Sequence, residues 1–201
     1  MNKNQLTNFI TKYTLGGEIK STKWTSNGDS LSTRFISGDK SVVGKVVLSK
    51  FSHLSPCELG VYNTGQLSSL LSVLGDDIDI NLSQSGDKFI SMEFEDTKRK
   101  TKSKYMLSDL SVIPTPPALK NLPDSFELGI KVDPYFINTF TSGKSALAEA
   151  ETFTILTEGG QTKIVIGYAS IASNRVTIPV ETTKSADIEP ISFNANMFAS
   201  I

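Results

Sequence analysis

The sequence predicts an α+β protein made of two similar domains, and three observations support this prediction. A short motif occurs twice, at residues 9–16 and 136–143, and in both copies it reads aromatic, Ile, two variable residues, aromatic, Thr, one variable residue and Gly. Runs with β-branched and alternating apolar residues fill the intervening chain, as expected for antiparallel strands. A proline-rich segment, residues 111–123, holds four of the 8 prolines and separates the two halves. Each half is therefore predicted to contain two short helices and antiparallel sheets.

The first repeated motif predicts a short amphipathic helix in each half. Phe9 and Tyr13 are four residues apart, and Phe136 and Phe140 match them in the second copy. This spacing places both rings on one helical face. A glycine follows at the same distance in both copies, Gly16 and Gly143, and is typical of a helix end.

A second repeated motif predicts another helix in each half. Residues 62–70 match residues 193–201, and in both an aromatic residue ends a strand before an asparagine that can cap a helix. The first motif precedes the second by 53 residues in one half and 57 in the other, counted from Phe9 to Tyr62 and from Phe136 to Phe193. Two matches in the same order at similar spacing indicate an internal repeat.

The remaining regular segments predict strands and complete the domain boundaries. The predicted strands cover residues 19–25, 30–36, 41–48, 78–82, 88–94, 104–110, 125–132, 152–156, 163–169 and 175–180. Closely spaced prolines keep a segment extended and exclude it from a helix or a central strand. The predicted organisation is an N-terminal domain at residues 1–110, a linker at 111–124 and a C-terminal domain at 125–201.

The repeat also predicts that the natural protein is longer than this sequence. The first half carries about 35 residues of sheet after its second helix, whereas the second half has no matching segment. A helix without the strands that it covers would expose apolar surface. We therefore expect the C-terminal domain to be incomplete here.

Composition excludes several classes of protein. The formal net charge is -1, with +3 in residues 1–105 and -4 in residues 106–201. A single cysteine, Cys57, excludes an internal disulfide, and with the single His53 it leaves too few ligands for a structural zinc site. No apolar run reaches the length of a membrane span, and the first residues lack the apolar core of a signal peptide. The composition predicts a soluble cytoplasmic protein with no membrane partner.

No pattern in the sequence predicts an active site. Residues 142–145 read Ser-Gly-Lys-Ser, like the end of a phosphate-binding loop, but that motif requires glycine where this chain has Asn138. Neither a catalytic triad nor a metal-binding pattern is evident. The prediction is a protein that is not an enzyme and has no cofactor or metal.

Residues 59–77, followed by a strand and the Ser85-Gly86-Asp87 turn, resemble the sliding clamps, specifically the DNA polymerase processivity factors of T-even-type bacteriophages. This chain and those clamps share the same order of features, namely a strand, a Tyr-Asn pair, a helix, an acidic pair, a strand, a turn and a strand. Phe193, Asn194 and Met197 are similar to a second copy, and the resemblance extends from about residue 5 to the end.

The resemblance implies a sliding-clamp fold and a homotrimeric, head-to-tail ring. In that family the sheets form the outside and the helices line a channel around double-stranded DNA. The ring tethers the replicative DNA polymerase, is opened and closed by an ATP-dependent clamp loader, and also activates late transcription. The implied location is the cytoplasm of the phage-infected bacterial host.

A ring that slides on DNA needs diffuse positive charge that attracts phosphates without reading bases. The helices offer Lys3, Lys12 and Lys144, each of which is equally well explained as an ordinary exposed lysine. A second candidate is the basic run at residues 98–104, predicted to lie on a turn between strands. Its cations are Lys98, Arg99, Lys100, Lys102 and Lys104. A solvated hairpin is an equally good interpretation of this run.

Two further sets of candidate residues concern assembly. By resemblance, two exposed strand edges join neighbouring subunits, one formed by Tyr105, Met106 and Leu107 and the other by Val176, Thr177 and Ile178. A pocket beside the linker is expected to bind a peptide of the tethered partner, with candidate rim residues Val112, Ile113, Leu119 and Leu122. These apolar residues can equally hold the linker against its own domain.

One alternative comes from a different functional class. Repeated β-rich domains with few cysteines also occur in phage structural or attachment proteins. The helices distinguish the two hypotheses, because a clamp needs paired short helices with polar or basic outer faces and a structural β-domain needs few.

Overall fold

The computed structural model describes residues 1–118, 124–169, 171, 173–184 and 186–200. It is a mixed α+β structure with several antiparallel sheets and few helices. The chain divides into two compact units, Met1–Leu119 (unit 1) and Lys120–Ile201 (unit 2), and the division falls inside the predicted linker. None of the helices in the described part is long and apolar enough to cross a membrane.

The described residues of unit 1 form two α-helices, seven strands and two sheets. In chain order the elements are α1 (Lys3–Thr14), β1 (Thr22–Ser26), β2 (Ser30–Ile36), β3 (Val43–Ser49), β4 (Cys57–Val61), α2 (Thr64–Ser72), β5 (Ile78–Ser85), β6 (Lys88–Asp96) and β7 (Lys102–Met106). The first sheet has the order β3-β2-β1-β4, and the second has the order β5-β6-β7. All of these strand pairs are antiparallel.

The repeated aromatic positions of α1 lie in the core of unit 1. Phe9 and Tyr13 are buried and pack edge-on against Trp24 of β1, with ring centroids 5.5 and 6.4 Å from the indole. The Trp24 indole N–H donates to the Tyr13 hydroxyl oxygen at 3.2 Å. Burial raises the pKa of Tyr13 above its ordinary value, so this hydroxyl is neutral. One helical face therefore packs on the sheet, and the opposite face is left to solvent.

Unit 2 repeats this arrangement with different residues. Its elements are β8 (Gly129–Ile130), α3 (Pro134–Ala146), β9 (Thr152–Glu158), β10 (Gln161–Ile166), β11 (Val176–Pro179), β12 (Thr182–Lys184), β13 (Ile191–Asn194) and α4 (Ala195–Ala199). The main sheet has the order β11-β10-β9-β13, and β12 pairs with β8. Phe136 and Phe140 of α3 are buried, as the matching residues of α1 are.

Two helices and one four-stranded sheet have the same topology in both units. In each, a helix is followed by three consecutive antiparallel strands, and a later strand returns to pair with the first of them, β4 with β1 and β13 with β9. A second helix follows that returning strand directly. Its N-cap is an asparagine in both units, since the side-chain oxygen of Asn63 accepts from the Gln66 amide at 3.0 Å and that of Asn194 accepts from the Met197 amide at 2.9 Å. The repeat read from the sequence is therefore present in the fold.

Some sequence-based boundaries were wrong. Gly143 does not end a helix but lies inside α3, where an added Cβ would approach Val176 Cγ1 at 3.0 Å and Ile166 Cδ1 at 3.2 Å. The glycine thus permits close packing of a helix on strands. Of the strand predicted at residues 125–132, only Gly129–Ile130 is a strand in the structure. The strand β12 was not predicted from the sequence.

Candidate nucleic-acid interface

Within their helical residues, the four α-helices that the structure describes carry no acidic side chain, although the N-cap of α3 is Asp133. The sequences of α1, α2, α3 and α4 contain no aspartate or glutamate, although the chain has 21 of them, and glutamate is a good helix former. Their cations are Lys3, Lys12 and Lys144. We call the exposed sides of these helices the acid-free helix faces. A surface of this composition does not repel a polyanion.

In unit 1 the acid-free helix faces are polar. The exposed positions of α1 include Gln5, Asn8, Thr11 and Lys12, and those of α2 include Gln66, Ser69 and Ser72. The two helices begin at their caps, Asn2 and Asn63, and bury the leucines and aromatic residues of their other faces. The exposed side-chain amides can donate neutral hydrogen bonds to phosphate oxygens, which suits binding without base recognition. The hydroxyls of Thr11, Ser69 and Ser72 donate to carbonyls of their own helices.

The predicted lysines of the helices differ in their surroundings. Lys12 is exposed on α1. The ammonium of Lys3 donates to the carbonyl of Leu74, just after α2, and the ammonium of Lys144 donates to the carbonyl of Ala148 at 2.7 Å. Lys3 and Lys144 therefore also satisfy carbonyls near helix ends, a role that needs no DNA.

The fold brings Lys3 close to the basic run, which is distant in sequence. The Lys3 amide donates to the Asp76 carbonyl at 2.7 Å, and the Thr97 amide donates to the Asp77 carbonyl at 3.0 Å. The start of α1, the end of α2 and the turn after β6 therefore meet at one corner of unit 1. This corner was not predicted from the sequence.

Most of the basic run is paired with carboxylates. Lys98 lies 3.1 Å from Asp77, Lys102 lies 3.0 Å from Glu95, and Lys104 lies 2.9 Å from Glu93. Lys100 lies 3.6 Å from Glu95. Arg99 is the cation of this run that has no carboxylate within ion-pair distance in the part of the chain that the structure describes. The lysines of these pairs are more than half exposed, whereas Glu95 is partly buried, and ion pairs with so exposed a partner contribute little to stability.

The run also extends beyond the predicted turn. Lys98, Arg99 and Lys100 lie on the turn, but Lys102 and Lys104 lie on β7 and face Glu95 and Glu93 of β6 in register. Cross-strand pairs of opposite charge stabilise a sheet modestly. The net positive charge of this corner is therefore smaller than the sequence alone indicates.

Asp96 holds the turn of the basic run in place. Its carboxylate accepts hydrogen bonds from the backbone amides of Lys98, Arg99 and Gly75, each at 2.8 Å. These hydrogen bonds, foremost that of Arg99, lower the pKa of Asp96 below its ordinary value. The residue is only 3% exposed. One side chain thus ties the turn to the end of α2.

We expect Asp96 to make the stability of unit 1 depend on acid pH. Because its pKa is lower in the folded than in the unfolded state, its contribution is present above pH about 4 and is lost as the pH falls through the folded value. The measurement is the free energy of unfolding, by urea titration with Trp24 fluorescence, at pH values above and below 4. Asp96→Asn should be less stable at neutral pH and show a weaker loss on acidification. An unchanged pH slope in this variant would contradict the role of Asp96.

The candidate interface segments lie at sheet edges. Residues 105 and 106 belong to β7, an edge of the β5-β6-β7 sheet, and residues 176–178 belong to β11, an edge of the main sheet of unit 2. The Leu107 amide donates to Ile90 of β6, and the Val180 amide donates to Thr162 of β10. Since successive residues of a strand point in opposite directions, the backbone groups of Met106 and Thr177 point away from their partner strands.

The other members of these two sets are less exposed. Tyr105 and Ile178 are each only 3% exposed, and the Tyr105 hydroxyl accepts from the Asn63 amide at 2.9 Å. Their side chains therefore belong to the cores of their units. Pro179, at the end of β11, has no backbone N–H, and an edge strand tolerates this loss.

The candidate partner-pocket residues have different positions. Val112 is 58% exposed, whereas Ile113 is buried and packs near Gly60 of β4. Ile113 therefore holds the segment against unit 1, the alternative that the sequence left open. Leu119 and Leu122 lie outside the described residues.

Each unit has a groove that is lined in part by residues flanking the proline-rich segment in the sequence. In unit 1 a groove of about 480 Å³ lies beside residues 107–110, with Phe89 and Ile90 in its lining. In unit 2 a groove of about 470 Å³ is mostly apolar. Its lining includes Phe126, Leu128, Ile130, Ile155, Ile188, Ile191 and Phe193. The sequence predicted a partner pocket beside the linker, but neither Val112 nor Ile113 is among the described residues that line these two grooves.

No protein-family model matches this chain, and no curated protein matches it.

Proposed function

We propose that this protein is a DNA sliding clamp, in which three copies form a ring around double-stranded DNA and tether the replicative DNA polymerase. The observation that carries the proposal is the repeated unit whose paired helices contain no acidic residue. In this proposal an ATP-dependent clamp loader opens and closes the ring. The setting is the cytoplasm of a phage-infected bacterium, where the ring also activates late transcription.

The acid-free helix faces support the DNA part of the proposal. A structural β-domain has no reason to keep carboxylates off its helices, whereas a channel around a polyanion does. Lys12 and Arg99 supply positive charge, and the exposed side-chain amides supply neutral contacts to phosphates. Weak, non-specific contacts of this kind let a ring move along the duplex.

Processive synthesis follows from encirclement and tethering. A ring stays on DNA because of its topology, so its contacts need not be strong. A polymerase attached to that ring has a high effective concentration at the primer end. The apolar groove of unit 2, which follows the proline-rich segment, fits a short apolar peptide of the tethered partner.

The open strand edges support head-to-tail assembly. Met106 of β7 and Thr177 of β11 each offer backbone groups that point away from their own sheet. Pairing the β7 edge of one copy with the β11 edge of the next would continue the sheets across the joint.

The mass of the protein in solution tests this proposal. At micromolar concentration we expect sedimentation equilibrium to give the mass of three subunits. Thr177→Pro, which removes an amide donor from the open edge but leaves the pairing of β11 with β10 intact, should lower the mass to one subunit. Thr177→Val keeps the backbone donor and is the matched control. A single-subunit mass for the unmodified protein would count against a ring.

A further inference from the structure

The groove of unit 1 lies where the edges of its two sheets come together. The strand β4 is an edge of the first sheet and β7 is an edge of the second. The chain that follows β7 joins the two edges, because the Ser108 amide donates to the Gly60 carbonyl at 2.9 Å. The groove is lined by residues of β4, of β6 and of the chain after β7, and its volume of about 480 Å³ is within the range of ligand pockets.

The backbone of Glu58, on β4, has an open side next to this groove. The Gly60 carbonyl points away from β1, since it accepts from Ser108, and residues two apart in a strand direct their backbone groups to the same side. The chain after Ser108 does not continue the pairing, because it forms a turn of 3-10 helix at Leu110–Val112. Among the described residues, no backbone group outside the β1–β4 pair bonds to the N–H or C=O of Glu58.

Apolar side chains form part of the groove lining. Phe89 and Leu107 are partly buried and pack against the core of unit 1, so they are held in place. Ile90 is 38% exposed, and Leu110 also lines the groove. The groove therefore offers a fixed apolar surface that a further apolar side chain can cover.

The charged lining of the groove is mainly acidic. Its carboxylates are those of Glu58, Asp87 and Asp109, and Lys88 is the cation among the described lining residues. The Lys88 ammonium lies 2.5 Å from the Asp109 carboxylate, so these two charges offset each other. Glu58 and Asp87 have no cation within ion-pair distance in the part of the chain that the structure describes. The groove therefore favours a positively charged occupant.

Two other kinds of occupant fit this groove less well. The described residues contain no group of three side chains placed to hold a metal ion. The unpaired carboxylates of Glu58 and Asp87 repel the phosphates of a nucleic acid. An open strand edge, an apolar surface and negative charge are together the features that a cationic peptide requires.

We propose that this groove binds an extended segment of another protein that carries a lysine or arginine close to an apolar residue. The segment adds to the β4 edge by pairing its backbone with the N–H and C=O of Glu58. Its apolar side chain covers Phe89 and Ile90, and its cation lies near the carboxylates of Glu58 and Asp87. This site lies within unit 1 and is independent of ring formation and of the mostly apolar groove of unit 2.

Binding of two short peptides to the full chain tests the proposal. The probes are acetyl-Gly-Lys-Leu-Lys-Gly-amide and its counterpart with glutamate in place of both lysines, each at the same low salt concentration. We expect the basic peptide to shift the backbone amide NMR signals of Glu58, Ile90 and Ser108, and the acidic peptide to leave them unchanged. No shift with millimolar basic peptide, or equal shifts with both peptides, would overturn the proposal.

Neutralising the groove should weaken binding of the basic peptide. Glu58→Gln combined with Asp87→Asn removes the two unpaired carboxylates, and we expect about a tenfold lower affinity. Glu18→Gln combined with Asp79→Asn is the matched control, because it changes the net charge equally at exposed positions outside the groove. An equal loss of affinity in both variants would reduce the effect to net charge and would overturn the site.

N-methylated probes test the pairing of the peptide backbone with β4. One basic probe carries an N-methyl group on its leucine, and the other carries N-methyl groups on both lysines. Since alternate amides of an extended segment face the neighbouring strand, one of the two probes should bind several-fold more weakly than the unmethylated peptide. Equal affinity of all three peptides would contradict strand addition.

Sedimentation equilibrium distinguishes a separate partner from a second copy of this chain. Glu58→Gln combined with Asp87→Asn should keep the mass of the unmodified protein, whatever that mass is. A lower mass in this variant would show that the groove holds a second copy, which would overturn the proposal of a separate partner.

Discussion

Replacing Phe140 with alanine should destabilise unit 2 by about 3–5 kcal/mol and leave unit 1 folded. Phe140 is 2% exposed, and its ring centroid lies 4.9 Å from that of Phe198 and 5.1 Å from that of Phe153. Its removal therefore opens a cavity among aromatic side chains from α3, α4 and β9. Because a domain of this size is stable by only about 5–10 kcal/mol, the loss is a large part of the total.

The two units can be followed separately in this experiment. The protein has one tryptophan, Trp24, which is buried in unit 1, so its fluorescence reports on that unit. Hydrogen exchange of β9 and β10 reports on unit 2. We expect Phe140→Ala to increase exchange in β9 and β10 greatly while the urea midpoint of Trp24 fluorescence stays unchanged.

Tyr135→Ala is the matched control for this substitution. Tyr135 lies on the same helix but is 76% exposed, so its removal should change stability by less than about 0.5 kcal/mol. If Phe140→Ala shifted the Trp24 transition as strongly as it shifts exchange in β9 and β10, the two units would unfold as one body.

The second large effect concerns DNA. Placing glutamate at Asn8, Gln66 and Asn138 should weaken binding to duplex DNA about a hundredfold, because these exposed residues lie on the acid-free helix faces. Each new charge near a phosphate adds about 1 kcal/mol of repulsion. Three charges therefore weaken binding by about 3 kcal/mol, which corresponds to about a hundredfold loss of affinity. Fluorescence anisotropy with a labelled duplex at fixed low salt measures the affinity.

A matched variant separates position from net charge. Gln84→Glu adds a carboxylate to an exposed position of β5, away from the helices, and should leave DNA affinity almost unchanged. Combining it with Asn81→Glu on the same strand increases the added charge. If these sheet variants weakened binding as much as the helix variants, the helices would not face the DNA.

The fold was predictable where local signals agreed with packing. Phe9, Tyr13, Phe136 and Phe140 have helical spacing, and burial of one helical face is what that spacing requires. The N-cap role of Asn63 was also predictable, because the side chain of an asparagine before a helix accepts from a backbone amide of the first helical turn, here that of Gln66. Gly143 was misread because a glycine inside a helix and one at its end look the same in the sequence.

The candidate site was only partly predictable. The absence of acidic residues from helices becomes visible only when helix boundaries are known. The sequence showed the run at residues 98–104 as a block of positive charge, but Asp77, Glu93 and Glu95 are brought to it by strand pairing. Residues 108–117 hydrogen-bond to a row formed by Lys23, Arg34 and Gly60, and this row was also hidden, because these three residues become neighbours only through strand register. Contacts of this kind depend on long-range pairing, which local patterns do not specify.

Retention on circular DNA tests the sliding-clamp proposal most directly. The protein is assembled on a nicked circular duplex and then moved to a salt concentration that abolishes ionic contacts, which leaves only topological linkage. The prediction is that the protein stays on the circle and is released when a restriction enzyme linearises it. Equal release from circular and linear DNA would contradict encirclement.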